Sequence, residues 1–279
     1  ETIGTITHHP YKGNPSPMFG RLPKSKSLMV NKGFKNNGAS KTAQKLATAS
    51  FNLPLGISIG RTNTPRLNTV KQQIADICSA FIVFEKMKIQ HSYYELNISC
   101  PNLSGSISFY TSANLTMLLQ GIDNLSLSKP LFVKMPIEQS DTKMKNLLAI
   151  IAKHSPTGVI FGNLQKDRKN PVFNQAELAK YPVGNFSGKP TFERSNHLIA
   201  LTYRLYKDRF IIIGCGGVFS AKDAYTKIKL GASLVQLITG IIFMGPQLIT
   251  EINIELAALL KKDGYTHISE AIGTNTNPL

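Results

Sequence analysis

The stretch Tyr93-Tyr94-Glu95-Leu96-Asn97-Ile98-Ser99-Cys100-Pro101-Asn102 decides how the rest of this sequence is read. Tyr93, Glu95 and Asn97 alternate with Tyr94, Leu96 and Ile98, the period of a β-strand. Pro101 cannot donate to a sheet ladder, so the strand ends before it. Asn97, Cys100 and Asn102 therefore fall at the carboxyl end of a strand. In parallel α/β folds that is where ligands bind. The two asparagines offer amide donors and acceptors to a flat polar heterocycle, and Cys100 offers a thiol that can act as base or nucleophile. A buried structural cysteine beside a turn is the plainer alternative.

Working outward, strand patterns alternate with helical ones. Glu1 to Thr7, Leu53 to Ile59, Pro130 to Met135, Gly158 to Gly162, Phe210 to Gly214 and Ser233 to Ile238 read as further strands. Helical spacing covers Ala39–Ser50, Thr69–Lys88, Ser112–Leu125, Asp141–His154, Phe192–Lys207, Ser220–Leu230 and Pro246–Lys262. Gly38 or Ser40 is the expected cap of the first helix; Ser220 and Gly231 are the expected start and stop of another. His8 to Arg21 and Lys166 to Pro190 read as long loops, and Thr266–Leu279 as a polar tail. Seven strand–helix units point to a closed parallel barrel, which has eight. The sequence starts at Glu1 already in strand pattern, so the expectation is a (β/α)8 TIM barrel lacking its first strand–helix unit, forming one domain over 1–279.

The composition agrees. Of 279 residues, 42% are hydrophobic and 17% charged, enough apolar content to exclude a disordered chain. No run of about 18 apolar residues suggests a membrane span. Three distant cysteines, Cys78, Cys100 and Cys215, fit a reducing compartment rather than a disulfide framework or a zinc site. The net charge is +16, but its lysines are scattered, which reads as a solvated basic surface rather than a nucleic-acid footprint.

Other strand ends add chemistry. Gly214-Cys215-Gly216-Gly217 ends one strand and Thr239-Gly240 follows the next; loops after the last two strands of such barrels commonly hold phosphate through bare backbone N–H groups. Lys134 ends a strand on which a lysine must be paired or ligand-bound. Asn163 lies just past Gly158–Gly162. Asn97, Asn102, Lys134 and Asn163 thus converge from three consecutive strands on one rim.

These residues, with IGTIT (3–7), FGRLP (19–23), NISCPN (97–102), VKM (133–135), GN and DR (162–163 and 167–168), SGKP (187–190), GCGGV (214–218) and GASLVQLITGIIFMGP (231–246), resemble the dihydroorotate dehydrogenases. The resemblance covers Ile3 to nearly Gly273 and leans to the class 2, quinone-linked enzymes. It implies FMN at the carboxyl face of a barrel. Thr5, Ser58, Asn97, Lys134, Ser187, Gly188, Gly216, Gly217, Thr239 and Gly240 match flavin-contacting positions, the last four at the phosphate. Asn31, Asn97, Asn102 and Asn163 match substrate-gripping positions, Asn31 with a one-residue displacement. Cys100 stands at the catalytic base. No metal is implied.

Departures accompany the match. Class 2 usually has serine at Cys100 and asparagine at Ser58; both residues here are class 1 habits. Leu164 replaces a hydroxyl residue. The family's first strand, with a substrate lysine, and the membrane-docking helices of class 2 have no counterpart here. The resemblance implies oxidation of dihydroorotate to orotate in pyrimidine (UMP) synthesis with quinone as acceptor. It further implies a cytoplasmic location, peripheral on the inner face of the membrane, and no nucleic-acid partner; the oligomeric state is left open. An FMN-dependent tRNA-dihydrouridine synthase, which also has an Asn…Cys-Pro loop, and a non-catalytic barrel fragment are the alternatives.

Overall fold

The computed structural model describes residues 1–87, 89–105 and 107–276. Lys88, the expected end of a helix, and 277–279 of the expected tail lie outside the described residues. The elements in chain order begin with strands β1 (Thr2–Ile6), β2 (Phe19–Leu22) and β3 (Ser27–Val30), helix α1 (Ala39–Ala47), β4 (Gly56–Ile59), α2 (Val70–Met87) and β5 (Tyr93–Asn97). Then come α3 (Ser112–Asp123), β6 (Leu131–Met135), α4 (Asp141–Ile151), β7 (Gly158–Phe161), α5 (Gln175–Leu178) and β8 (Asn185–Gly188). The chain ends with α6 (Phe192–Tyr206), β9 (Ile211–Cys215), α7 (Ala221–Lys229), β10 (Leu234–Gln236), α8 (Thr239–Met244), α9 (Leu248–Lys262) and α10 (Ile268–Ala271). All seven strands expected from the sequence are present and belong to parallel ladders.

Two compact units divide the chain. The first comprises Glu1–Ser16, Lys32–Lys134 and Ser140–Thr157. Its parallel strands run in the order β1-β4-β5-β6. The register sets Ser58 opposite Glu95 and Asn97 opposite Lys134. The β1–β4 register shifts between Ile3 and Ile6. Gly4 sits in that shift at φ 119, where a Cβ would come 2.5 Å from the Ser58 carbonyl oxygen. Only glycine is free of strain there, and the irregularity re-aims Thr5. Helix α2 turns Ile77, Phe81 and Phe84 inward; α3 does so with Leu115, Leu118 and Ile122, and α4 with Met144, Leu148 and Ile151. Ser140 caps α4 by accepting from the Lys143 amide.

The second unit comprises Pro17–Asn31, Met135–Gln139 and Gly158–Leu279. It carries the parallel strands β7-β9-β10 and an antiparallel sheet, β2-β3-β8. Phe19–Leu22 corrects the expected loop over His8–Arg21, and β8 with α5 interrupts the expected loop over Lys166–Pro190. This sheet has its own core of Leu22, Met29, Phe173, Leu178 and Phe186. Glu177 clasps the β2–β3 turn, accepting from the Lys24 amide, the Ser25 amide and the Ser25 hydroxyl at 2.9, 3.0 and 2.9 Å. Ser220 caps α7 as expected, whereas α1 starts at Gly38 with no side-chain cap. β10 stops at Gln236, short of the expected end at Ile238, and α9 starts at Leu248 rather than Pro246.

Phe186 is fully buried in β8 and stacks edge-on against Phe173 with centroids 4.8 Å apart. Replacing it with alanine removes the largest side chain of a small core. Phe186→Ala is expected to destabilise the second unit by about 3–5 kcal/mol. Urea unfolding followed by circular dichroism measures this, and an unchanged midpoint would show that the antiparallel sheet contributes nothing to stability.

Candidate active site

In the first unit, four predicted residues meet on one face of the sheet. Asn97 Nδ2 donates to Thr5 Oγ1 at 2.8 Å. Thr5 Oγ1 and Ser58 Oγ are 3.0 Å apart. Ser58 Oγ donates to Glu95 Oε1 at 2.6 Å, and Lys134 Nζ lies 3.7 Å from the same oxygen. Since Thr5 accepts from Asn97 and Ser58 gives its proton to Glu95, every donor runs one way, from amide to hydroxyl to hydroxyl to carboxylate. Glu95 was not singled out from the sequence. It is 2% exposed, and its carboxylate explains why Lys134 sits on an inner strand end.

Cys100 and Asn102 follow β5 in a loop that is strapped at several points. Asn97 Oδ1 accepts from the Ser99 amide and hydroxyl at 3.2 and 3.0 Å. Asn14 Nδ2 donates to the Asn102 carbonyl at 2.9 Å. Asn63 Oδ1 accepts from the Ser104 amide and hydroxyl at 2.8 and 2.7 Å, and its Nδ2 donates to Asn14 Oδ1 at 3.1 Å. Arg61 Nη2 donates to the Ser104 carbonyl. Burial pulls the Arg61 guanidinium below its usual range, against the opposing pull of Cys100 and Asp76. Cys100 is therefore a half-buried thiol in electrostatic contact with a buried arginine. Arg61 and Asn63 follow β4 directly, so the strand-end rule applied to the loop after β5 would have found them in the loop after β4.

In the second unit the backbone does most of the work. Gly216 and Gly217 follow β9 at φ 100 and 72. A Cβ on Gly216 would stand 2.5 Å from Thr191 Oγ1, and one on Gly217 2.6 Å from Phe192 Cβ. Only bare backbone fits this pair of positive-φ residues, which leaves their N–H groups without side chains in the way. Ser187 and Thr239 join their hydroxyls at 2.8 Å, and Gly188 and Gly240 adjoin them in sequence. Asn163 follows Gly162, whose absent Cβ would overlap the Cys215 carbonyl oxygen at 2.0 Å, so the ends of β7 and β9 lie against each other. These residues fit a phosphate group: hydroxyls and bare glycine backbone, with no carboxylate among them. Asn31 is different. It closes β3 at the end remote from the Ser27–Gly188 pair, and its Nδ2 donates to the Pro17 carbonyl at 3.5 Å. The structure does not bring it to Ser187 and Gly188.

Removing the Lys134 ammonium leaves the Glu95 carboxylate buried without its cation. Lys134→Met is expected to cost about 3 kcal/mol, and Lys134→Met combined with Glu95→Gln to recover most of it. A double-mutant cycle by urea unfolding gives the coupling; additive effects would mean that the two charges do not depend on each other.

Comparison with known proteins accords with this geometry. Residues 1–260 match the family "Dihydroorotate dehydrogenase". A "Dihydroorotate dehydrogenase (quinone)" of Crocosphaera subtropica is 33% identical over 284 residues, covering 99% of this chain and 73% of the relative. The protein of the same description from Chloroflexus aurantiacus is 33% identical over 261 residues, covering 90% of this chain and 70% of the relative. Among solved structures, ligand-free DHODH from Eimeria tenella superposes with a TM-score of 0.87 at 23% identity, over 99% of this chain and 82% of that one. The complex of the Eimeria tenella protein with ferulenol gives a TM-score of 0.85 at 22% identity, over 99% and 79%. The fold is thus of the α/β TIM-barrel class, and this chain contributes seven parallel strands to it. By sequence and fold alike, the chain belongs to the dihydroorotate dehydrogenase family.

Proposed function

We propose that this protein oxidises dihydroorotate to orotate, with FMN as redox cofactor and quinone as electron acceptor, in the synthesis of UMP. The whole chain acts as one FMN-binding domain in this reading. The observation that carries it is the loop after β5, where a thiol, Cys100, is held beside the Arg61 cation immediately after the Asn97–Thr5–Ser58–Glu95–Lys134 row. Relatives described as "Dihydroorotate dehydrogenase (quinone)" support the acceptor, and membership of the family supports the flavin reading.

Forming the C5–C6 double bond of orotate requires a proton to leave C5 and a hydride to leave C6. Cys100 Sγ takes the C5 proton. A thiol titrates near pH 8.5 when free, and a neighbouring cation favours the thiolate, so Arg61 makes the base available near neutral pH. FMN, when bound, supplies the acceptor for the hydride. Asn97, Asn102 and Asn163 orient the pyrimidine ring through their amides and offset charge developing on it. Asn31 belongs to the same substrate set in this reading. With FMN bound, Lys134 would offset negative charge on the ring, and Thr5, Ser58 and Asn97 would hold it. Ser187, Gly188, Gly216, Gly217, Thr239 and Gly240 hold the phosphate. Among the described residues no helix is long and apolar enough to cross a membrane. A lipid-soluble acceptor is met by peripheral contact at the inner face of the membrane, to which a +16 cytoplasmic protein is attracted. Steady-state assays with quinone, fumarate and NAD test the acceptor, and faster turnover with fumarate would overturn quinone.

Anaerobic stopped-flow measurement of flavin bleaching by dihydroorotate isolates the role of Cys100. Cys100→Ala is expected to keep FMN bound and to slow bleaching by ~10²–10⁴-fold. Cys100→Ser retains part of the rate with an optimum at higher pH, because a hydroxyl is a weaker acid than a thiol. A wild-type rate in Cys100→Ala removes the residue from the mechanism.

Arg61 is tested through the thiol itself. Loss of the cation disfavours the thiolate, so the alkylation of Cys100 by iodoacetamide, followed by peptide mass spectrometry, should move to higher pH in Arg61→Gln. Arg61→Lys should retain part of the effect. An unmoved profile in Arg61→Gln would show that Arg61 serves only to strap the loop.

A further inference from the structure

The second unit contains a lysine that the mechanism does not use. Lys227, on the inner face of α7, has no solvent exposure. Its stem runs beside Gly214, where a Cβ would meet the lysine Cδ at 3.0 Å. Its Nζ donates to Asn196 Oδ1 at 2.8 Å and to Ser195 Oγ at 3.1 Å, and stands 4.9 Å from the centroid of the Phe192 ring. Ser195 Oγ passes its own hydrogen to the Cys215 carbonyl at 2.6 Å. The donors again run one way: ammonium to hydroxyl to carbonyl.

A trans peptide is planar, with its C=O and N–H pointing in opposite directions. Fixing the Cys215 carbonyl towards Ser195 therefore aims the Gly216 N–H away from Lys227, into the turn formed by Gly216 and Gly217. The peptide lies flat over Gly162, whose missing side chain makes room for it. Its dipole has Lys227 towards the carbonyl end, through Ser195, and the Gly216 N–H at the other. We propose that Lys227 is the positioning residue of the phosphate cradle, a buried counter-charge that acts through Ser195 and the Cys215–Gly216 peptide, and that an anion in the cradle and a proton on Lys227 bind cooperatively. The proposal rests on the reading of Gly216 and Gly217 as phosphate ligands.

Burial draws the Lys227 ammonium down to about 7. Cys215, Asp223 and Glu193 favour its charge, while Lys189 opposes it. Lys189 is itself paired with Asp223 at 3.1 Å. Above neutral pH, Lys227 is therefore largely uncharged in the absence of an anion. A dianion in the cradle raises its affinity for a proton, so binding draws a proton from solvent. The phosphate ester itself, with a second ionisation near about 6, releases protons on binding and gives the opposite sign.

The test is calorimetry of FMN binding to the full chain at alkaline pH, in two buffers of different ionisation heat, with riboflavin as the ligand without phosphate. Uptake on the order of half a proton per FMN, and none with riboflavin, is expected for the wild type. Lys227→Met should abolish the uptake and weaken FMN more than riboflavin. Equal uptake with both ligands, or uptake that persists in Lys227→Met, overturns the proposal. Should Lys227→Met not fold, the wild-type comparison of FMN with riboflavin decides. Inorganic phosphate separates this proposal from the flavin reading, with the Lys227 Cε resonance followed by NMR as pH is varied. A titration midpoint that rises with phosphate in a protein that binds no FMN upholds Lys227 and removes the flavin; an unmoved midpoint in a protein that binds FMN does the reverse.

Discussion

A carboxylate taken out of water must be given both hydrogen bonds and a cation, and Glu95 receives both: a hydroxyl from Ser58 and an ammonium from Lys134. These partners come from three adjacent strands. Ser58 stands opposite Glu95 across the β4–β5 ladder, and Lys134 opposite Asn97 across the β5–β6 ladder. Side chains alternate between faces, so a slip of one residue in either ladder would send Ser58 or Lys134 to the wrong side and leave the charge alone. The same register places Asn97 two residues beyond Glu95 on the same face, where it completes the row through Thr5. The polar row is a consequence of register, and the register is enforced by the cost of an unmatched buried charge.

In the proposed function the two units would hold a ligand by different means. The first uses side chains whose donors all point towards Glu95, so each hydroxyl has one defined orientation. The second uses backbone, with Gly216 and Gly217 in left-handed conformations that expose N–H groups and Ser187 and Thr239 sharing a hydroxyl contact. Flat heterocycles are distinguished by directional side-chain contacts, whereas a phosphate needs only clustered donors and room.

This difference also governs what could be read from sequence. The parallel strands were legible as short apolar or alternating runs, of which β4, β5, β6 and β7 stop at Gly, Asn or Pro, and the glycine pairs named the backbone cradle. The antiparallel sheet was not. Phe19-Gly20-Arg21-Leu22 and Asn185-Phe186-Ser187-Gly188 lack a clean alternation, and both depend on pairing with Ser27–Val30, over a long sequence separation in the case of β8. Helix α8 was hidden because Leu237-Ile238-Thr239 continues the apolar run of β10. Glu95, Arg61, Asn63 and Asn14 are polar types that pattern rules assign to solvent. Their burial is decided by partners on other strands and loops, which no single segment reveals. Asn31, matched by motif with a one-residue displacement, follows the end of β3 opposite the Ser27–Gly188 pair.

Under the proposed mechanism, the choice of base bears on residues beyond the base itself. A serine hydroxyl lies so far above neutral pH that a nearby cation leaves it almost fully protonated, and it needs a proton relay to act. A free thiol lies far closer to neutrality, and a nearby cation favours its thiolate. Arg61 supplies that cation from the end of β4 and, through the Ser104 carbonyl, ties down the loop that carries Cys100. Asn14 and Asn63 hold the same loop at Asn102 and Ser104, so the thiol is fixed against a scaffold and not left to a mobile tip. In the proposed mechanism, cysteine at position 100 is thus matched by arginine at position 61: the loop after β5 would provide the acid–base group, and the loop after β4 the charge that favours its thiolate.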